Sequence, residues 1–271
     1  MIAVDLEGVH GTAGAPFHGE MPHRSLPRDS SYYTQAVELA TKEVNVAVKA
    51  LFDSGAKEVC VWDNHGGGGN LDFSKIDARA RNLIPDRAQL RMEFLRDEHF
   101  DGVVFIGYHS KAGSINGVMS HTYNGWEIQY IKLDGKQLGE FDFDARIAGE
   151  FGVPAIFAAS DDIAVKQFSE CNPLTETVVT KYGKGRHEAE FREEETVLDE
   201  IYVGVKRSVS SGAKPVKFRF PCVLEIRYTR LEIAAYHLET LSEKVSGLGY
   251  GEDGNVLKAT LQNIDDLRLF L

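Results

Sequence analysis

The sequence predicts an α/β protein with a layered core built on a mostly parallel sheet. Beyond the N-terminal apolar residues, three runs have the pattern of interior strands: EVCVW (58–62), GVVFIGY (102–108) and VPAIFAAS (153–160). Continuous apolar runs of this kind are typical of strands that are covered on both faces. Helical patterns lie between the runs, and strands that alternate with helices favour a parallel sheet.

The helical patterns carry recognisable start and stop signals. SYYTQAVELATKEVNVAVKALFDSG has a serine cap at Ser30 or Ser31 and stops at Gly55, where glycine commonly ends a helix. Further helices are predicted over SKIDARARNLI, from Ser74, and over FDARIAGEFG, which ends near Gly152.

The second half of the chain departs from this alternation. WEIQYIKLDGKQLGEF (126–141) alternates around Asp134-Gly135, a strong hairpin signal, and predicts a β-hairpin added to the core. After about residue 195 the patterns predict a helix, strands KFRF and VLEIRYTR, the helix LEIAAYHLETL, the strand NVLKATL and a short helical end. We therefore predict an α/β core domain over 1–194 and a smaller C-terminal α+β domain over 195–271.

Composition excludes several classes of protein. The net charge of −11, from 30 basic and 41 acidic residues, argues against nucleic acid as a partner. No apolar run approaches the roughly 20 residues of a membrane span, and no signal-peptide pattern is found, so we expect a cytoplasmic protein without membrane contact. Cys60, Cys171 and Cys222 have none of the paired spacings of zinc ribbons or redox dithiols and are interpreted as structural thiols. The acidic run 188–200 is interpreted as a solvated helix face.

Polar residues follow each predicted strand. Asp5 and Glu7 follow the first, Asp63-Asn64-His65 the second, His109 the third and Ser160-Asp161-Asp162 the fourth. The carboxyl ends of parallel strands form a ligand crevice, so these residues should converge. Carboxylates and imidazoles are ligands of zinc and similar metals, and a divalent cation would relieve the repulsion between Asp5 and Glu7.

Each residue also has a structural interpretation. A lone histidine at a strand end is commonly a hydrogen-bonded structural residue, and Asp63 or Asp161 could cap a helix. For Asp161 and Asp162, which lead into the helical IAVKQF, capping is preferred.

Two further motifs carry weaker signals. HGGGGN (65–70) could bring backbone amides to a phosphate or oxyanion, but it lacks the lysine of a P-loop and the spacing of a dinucleotide fingerprint. A flexible loop that lets His65 approach a ligand is an equally good interpretation. KYGKGRH (181–187) groups Lys181, Lys184, Arg186 and His187, which either hold a substrate carboxylate or are surface charge, the latter being favoured.

Taken in order, AVDLEG, WDNHGG, FIGYHS, GVMSHT and LGEFDFDARIAG resemble the M55 family of metallopeptidases, the D-aminopeptidases that include a dipeptide transport protein. The resemblance runs from residue 3 to about 165 and more faintly beyond. It implies two zinc ions per subunit, held by Asp5, Glu7, His65, His109 and Glu140, and a catalytic role for His121. The residue patterns alone point to four of these ligands but not to Glu140 or His121. The sequence departs from the family in the four glycines after His65, in Asp144 where Asn is frequent, and in a short C-terminus.

The resemblance implies a dinuclear zinc aminopeptidase that removes the N-terminal residue of short peptides containing D-amino acids. It also implies a ring-like homo-oligomer, a decamer being one candidate size. Two alternatives remain open at this point: another two-metal amidase or a phosphoesterase, since two-metal sites serve both classes, and a non-enzymatic peptide-binding protein.

Overall fold

The computed structural model describes residues 1–14, 26–85, 90–245, 247–268 and 270. Its strands are β1 (Ile2–Val4), β2 (Cys60–Asp63), β3 (Arg81–Asn82), β4 (Val103–Ile106), β5 (Ile128–Leu133), β6 (Lys136–Leu138), β7 (Ala155–Asp161), β8 (Glu176–Gly185), β9 (Glu188–Phe191), β10 (Cys222–Tyr228), β11 (Gly249–Tyr250) and β12 (Val256–Leu261). Its α-helices are α1 (Ser31–Asp53), α2 (Glu140–Glu150), α3 (Asp162–Cys171), α4 (Glu194–Ser208), α5 (Leu231–Leu241) and α6 (Ile264–Leu267).

The first sheet has the strand order β3-β2-β1-β4-β7-β8-β9. All its neighbouring strands are parallel except β8 and β9, which are antiparallel. The α/β fold class and the four interior strands are thereby confirmed. The short β1 lies between β2 and β4, so the residues that follow it emerge at the middle of the carboxyl edge.

Both faces of this sheet are covered, which explains the uninterrupted apolar runs. Ile2 and Val4 belong to a buried cluster that includes residues of α1 and α4, whereas Ala3 belongs to a cluster on the opposite face, together with residues of α2, α3 and the second sheet. Successive side chains of a strand point to opposite faces, so β1 has to be apolar at every position.

The second sheet is antiparallel, with the order β11-β12-β10-β5-β6. Its β5–β6 pair is the predicted hairpin, and the turn residues Asp134 and Gly135 have φ of 49° and 81°. Positive φ at both positions is the requirement of a type I′ turn, which explains the Asp-Gly sequence. The boundary between residues 194 and 195 stays a prediction, and the second sheet draws strands from both sides of it.

Helix α1 confirms both of its predicted ends. The Ser30 side chain accepts a hydrogen bond from the backbone N–H of Tyr33 at 3.2 Å, and Gly55 has φ of 92° just beyond the last turn. Ser30 rather than Ser31 is therefore the N-cap.

Two local predictions are wrong. The segment from Ser74 forms one 3₁₀ turn (Phe73–Lys75) and the edge strand β3 in place of a helix. Its Asp77 carboxylate accepts from the N–H of Arg79 and its own N–H donates to Asn45, contacts that compete with helical hydrogen bonds. KFRF (217–220) is not a strand either, because the N–H of Phe218 donates to the Glu150 side chain.

The acidic run 188–200 is split between β9 and the first turns of α4, so the prediction of a helix face holds for its second half only. In the part of the chain that the structure describes, no helix is long and apolar enough to cross a membrane.

Candidate metal centre

Asp5 and Glu7 lie in the segment that leaves β1, and close backbone packing fixes that segment. The N–H of Asp5 donates to the carbonyl of Ile106, and that of Gly8 donates to Gly107. A Cβ atom on Gly8 would lie 2.1 Å from the Tyr108 carbonyl oxygen, so this approach requires glycine. Both acids are consequently held at the carboxyl edge, and each is only 4% exposed.

Lys181, on β8, holds the backbone of the same segment in place. Its buried ammonium donates to the backbone carbonyls of Glu7, Val9 and Thr12 at 2.6, 2.7 and 2.6 Å. Burial lowers the pKa of Lys181 to about 8, against the opposing charges of Asp161, Glu43 and Glu7. This lysine was predicted as surface charge or a substrate contact; it is neither, because all three of its protons are used inside the fold.

His65 follows β2 and faces both acids. Its Nδ1 lies 2.8 Å from Oδ1 of Asp5 and 3.2 Å from Oε2 of Glu7, and its side chain is 18% exposed. The glycine loop after it turns back on Asp63, whose carboxylate accepts from the N–H groups of Asn70 and Leu71 at 2.5 and 2.9 Å. Asp63 therefore shapes the loop that carries His65.

His109 follows β4 and points its second nitrogen at two acids. Its Nε2 lies 3.2 Å from Oε1 of Glu140 and 3.7 Å from Oδ2 of Asp5. Because a carbonyl can only accept, the contact of Nδ1 with the Ser110 carbonyl at 3.0 Å places the proton of neutral His109 on Nδ1. Nε2 is fully buried and has no hydrogen bond within the described parts of the chain, so in the neutral ring it presents a lone pair to the acids.

Glu140 enters from the first residue of α2, directly after the hairpin. Its Oε1 accepts from the N–H of Tyr123 at 2.7 Å, and its Oε2 lies 3.6 Å from Nη2 of Arg91. A carboxylate is favoured at this position because the N-terminus of a helix carries a partial positive charge.

His121 lies in the loop between β4 and β5 and completes the cluster. Its ring stacks on that of His109 with centroids 4.0 Å apart, and its Nε2 lies 3.6 Å from Oε1 of Glu140. Nδ1 of His121 donates to the Met119 carbonyl at 2.8 Å, which leaves Nε2 of the neutral ring free to accept a proton. The side chain is 22% exposed, so it reaches the opening of the site.

A second layer of charge supports Glu140 and was not foreseen. Arg91 donates to both oxygens of the buried Asp144 at 3.0 and 2.8 Å, and the Tyr108 hydroxyl donates to the same carboxylate at 2.7 Å. Asp144, noted in the sequence only as a departure from the family, thus holds Arg91 next to Glu140.

Burial and mutual charge shift the pKa values of the cluster strongly. Burial and the charge of Glu7 raise the pKa of Asp5 to about 7. Against the effect of burial, Glu7 and Asp5 raise the pKa of His65 to about 11, and Glu140 is the main group that raises the pKa of His109 to about 10. The pKa of Glu140 falls to about 2, since the histidine charges outweigh its burial. Burial and then the charge of His109 lower the pKa of His121.

The donor atoms fall into three overlapping groups, each within 4.8 Å: Asp5, Glu7 and His65; Asp5, His109 and Glu140; and Glu7, His109 and His121. Carboxylates and imidazoles suit zinc, and the bare Nε2 of His109 is a ready ligand atom. The acids stabilise the protonated form of the histidines next to them. A divalent cation would take the place of those protons. The residues present therefore fit a metal, and Asp5 belongs to two adjacent groups.

A match to a family model agrees with this arrangement: residues 1–244 match the model Peptidase_M55, described as D-aminopeptidase. The chain belongs to the M55 peptidase family.

Two relatives can be compared with this M55 chain. A D-aminopeptidase of Bacillus subtilis (strain 168) is 30% identical over 180 residues, which are 66% of this chain and 62% of that protein. The solved structure of the Zn-dependent D-aminopeptidase DppA from Bacillus subtilis, described as a self-compartmentalizing protease, superposes with a TM-score of 0.86. That match covers 99% of this chain and 94% of the other at 23% identity, so it establishes the fold alone.

Most of the strand-end residues of this M55 chain converge as predicted, but not all. Asp5, Glu7, His65 and His109 lie together, and so do Glu140 and His121, for which only the family resemblance gave a signal. Asp161 instead caps α3 by accepting from the N–H of Ala164 at 2.8 Å, which confirms the capping interpretation. Asp63 binds its own loop and belongs to none of the three groups.

Proposed function

We propose that this protein is a dinuclear zinc aminopeptidase that hydrolyses the N-terminal residue of short peptides, with a preference for D-amino acids. The observation that carries the proposal is the convergence of Asp5, Glu7, His65, His109 and Glu140 at one edge of the parallel sheet. Membership in the M55 family and the D-aminopeptidases among its relatives support the choice of reaction and the stereochemical preference.

The five residues divide between two ions in this proposal. Asp5 would be held in common by both ions, since it belongs both to the group with Glu7 and His65 and to the group with His109 and Glu140. Bound zinc supplies Lewis acidity, which activates water and polarises the scissile carbonyl.

His121 moves the proton. The Met119 carbonyl holds the proton of Nδ1, so Nε2 can accept a proton as general base and return it to the leaving amine. Its place in the group with Glu7 and His109 also makes it a candidate ligand, and a variant separates the two roles (see Discussion).

The proposal extends to a cytoplasmic homo-oligomer. A ring that encloses the active sites, with a decamer as the candidate size, would restrict substrates to short peptides. The self-compartmentalizing structural relative supports this extension. Light scattering coupled to size exclusion should give a mass several times 30.1 kDa, and a fully active monomer would refute the ring.

The deciding experiment measures zinc in the purified protein and the hydrolysis of matched D-alanyl and L-alanyl dipeptides. We expect two zinc ions per chain and faster turnover of the D-peptide. Faster turnover of phosphate esters than of peptides would favour a phosphoesterase, and peptide binding without hydrolysis in the zinc-loaded protein would favour a binding protein.

A further inference from the structure

The far end of a short peptide needs a partner that the metal centre does not provide. The acids and histidines of the centre are assigned to the metal ions, whereas the C-terminal carboxylate of the substrate is an anion that still needs a cation. One residue spans about 3.3–3.6 Å, so in a dipeptide the carboxylate lies only a few ångströms beyond the scissile carbonyl. A cation that binds it has to lie within a few ångströms of the centre, and the partly exposed His121 marks the side that a substrate can reach.

Two cations at the centre already have partners inside the protein. Arg91 places its planar fork on Asp144, with Nε at 3.0 Å and Nη2 at 2.8 Å. Lys181 donates all three of its protons to backbone carbonyls and is completely buried. Lys181 has no proton left for a substrate, and the charge of Arg91 is already balanced by the carboxylates of Asp144 and Glu140 on either side of its guanidinium.

Arg186 is placed differently. It lies in the turn between β8 and β9, and its carbonyl accepts from the N–H of Met119 at 2.8 Å. Its Nη1 donates to the carbonyl of Ser120, the residue before His121. The side chain is exposed, and within the described parts of the chain no carboxylate lies within 4.0 Å of it. Its contacts with Met119 and Ser120 place it against the loop that carries His121.

We propose that Arg186 binds the C-terminal carboxylate of the substrate, so that the enzyme favours dipeptides with a free carboxylate. The proposal rests on the proposed peptidase function and names its substrate class. Nη1 fixes the guanidinium through Ser120, while Nε and Nη2 have no hydrogen-bond partner among the residues that the structure describes. A guanidinium matches a carboxylate with two parallel hydrogen bonds.

A second arginine, Arg28, contacts the loop that carries His65 and is the rival anchor. Nη2 of Arg28 donates to the Gly68 carbonyl at 3.1 Å and to Oδ1 of Asn70 at 3.2 Å, in the loop that follows His65. Lys184, near the end of β8, is the matched control for Arg186. Its ammonium pairs with Glu190 at 3.0 Å and faces solvent.

The experiment compares D-alanyl-glycine with its C-terminal amide, D-alanyl-glycinamide, on the zinc-loaded protein. The wild type should show a kcat/KM about 10- to 100-fold higher for the acid, the range expected for hydrogen bonds to a charged group. Arg186→Met should bring the acid-to-amide ratio close to 1 through KM, and Arg186→Lys should restore part of it. Lys184→Met should keep the wild-type ratio.

The amide is also the internal control for the loop. If Arg186→Met only displaced His121, hydrolysis of both substrates would fall equally and the ratio would stay high, which overturns the proposal. If Arg28→Met brought the acid-to-amide ratio close to 1 and Arg186→Met left it unchanged, the anchor would be Arg28. Equal wild-type rates for acid and amide would refute the anchor and leave the peptidase intact, whereas no hydrolysis of either peptide would refute the peptidase itself.

Discussion

Glu225 on the second sheet and Asp5 on the first are both nearly buried carboxylates, with side chains 13% and 5% exposed, but the fold neutralises them differently. Glu225 receives two lysines, Lys132 at 3.1 Å and Lys258 at 2.9 Å, and the Tyr130 hydroxyl at 2.9 Å. These contacts outweigh its burial and lower its pKa. The protein itself completes this cluster.

The cluster at Asp5 has no such partners. Asp5 and Glu7 face histidines, and in the described chain neither lies within 4.0 Å of a lysine or arginine side chain. Among the acids of the three ligand groups in the described chain, Arg91 lies within 4.0 Å of Glu140 alone, at 3.6 Å. Lys181 contacts the carbonyl of Glu7 rather than its carboxylate. The difference teaches that the second sheet supplies the positive charge for its own buried carboxylate, whereas the acids of the first sheet face histidines, where our proposal places the metal ions.

The largest expected effect tests that difference directly. Asp5→Asn or His109→Ala should lose zinc and activity together, because each removes a ligand atom shared between two groups. Hydrolysis should fall by more than the about 10⁴-fold upper range for removal of a proton-transfer group. Metal analysis beside a dipeptide assay measures both, and full zinc occupancy in both variants would show that the site lies elsewhere.

His121→Ala should separate catalysis from ligation. Zinc content should stay at the wild-type level while turnover falls about 10²- to 10⁴-fold, the usual contribution of proton transfer. Loss of zinc would make His121 a ligand, as its neighbourhood with Glu7 and His109 allows. Near-normal turnover with full zinc would remove it from the mechanism.

Lys181→Met should damage the first sheet without touching a ligand side chain. Three buried carbonyls would lose their donor, at a cost of about 3–5 kcal/mol in the free energy of unfolding. Denaturant unfolding measures the loss. Thr175→Val, which removes one buried hydrogen bond to Ala155, is the control and should cost only about 1 kcal/mol. Equal losses would mean that Lys181 does not secure the segment.

Glu43 should make the free energy of unfolding depend on pH. It is buried, one of its oxygens has no hydrogen bond, and burial raises its pKa from 4.5 to about 7. Between these values the unfolded chain releases the proton while the folded one retains it, so stability falls as pH rises from about 4.5 to 7. Relative to Glu43→Gln, the wild type should lose on the order of 3 kcal/mol over this window. A stability difference that does not change with pH would contradict the raised pKa.

The smallest effect is expected on the second sheet. Lys258→Met removes one of two lysines from Glu225, but Lys132 and Tyr130 remain and Lys258 is largely solvated. The melting temperature should change less than in Thr175→Val, and zinc content should not change at all. A loss of zinc in this variant would abolish the contrast between the two sheets.

The sequence alone predicts those parts of the centre that depend on one strand at a time. Asp5, Glu7, His65 and His109 each follow an apolar run, and residues after parallel strands meet at one edge. The hairpin at Asp134-Gly135 was predictable for a similar reason, since a two-residue turn with positive φ is a local requirement.

The tertiary structure alone decided which residues outside the strand ends reach the centre. Glu140 reaches the centre because the hairpin returns the chain to the start of α2, and His121 because its loop stacks it on His109. Lys181 looked like surface charge because its neighbours in sequence are polar, yet strand β8 turns it inward beneath the β1 segment. The helix expected from Ser74 failed since Asn45, on a distant helix, binds Asp77. Local pattern fixes strands and turns, whereas contacts between residues far apart in sequence depend on how those elements pack.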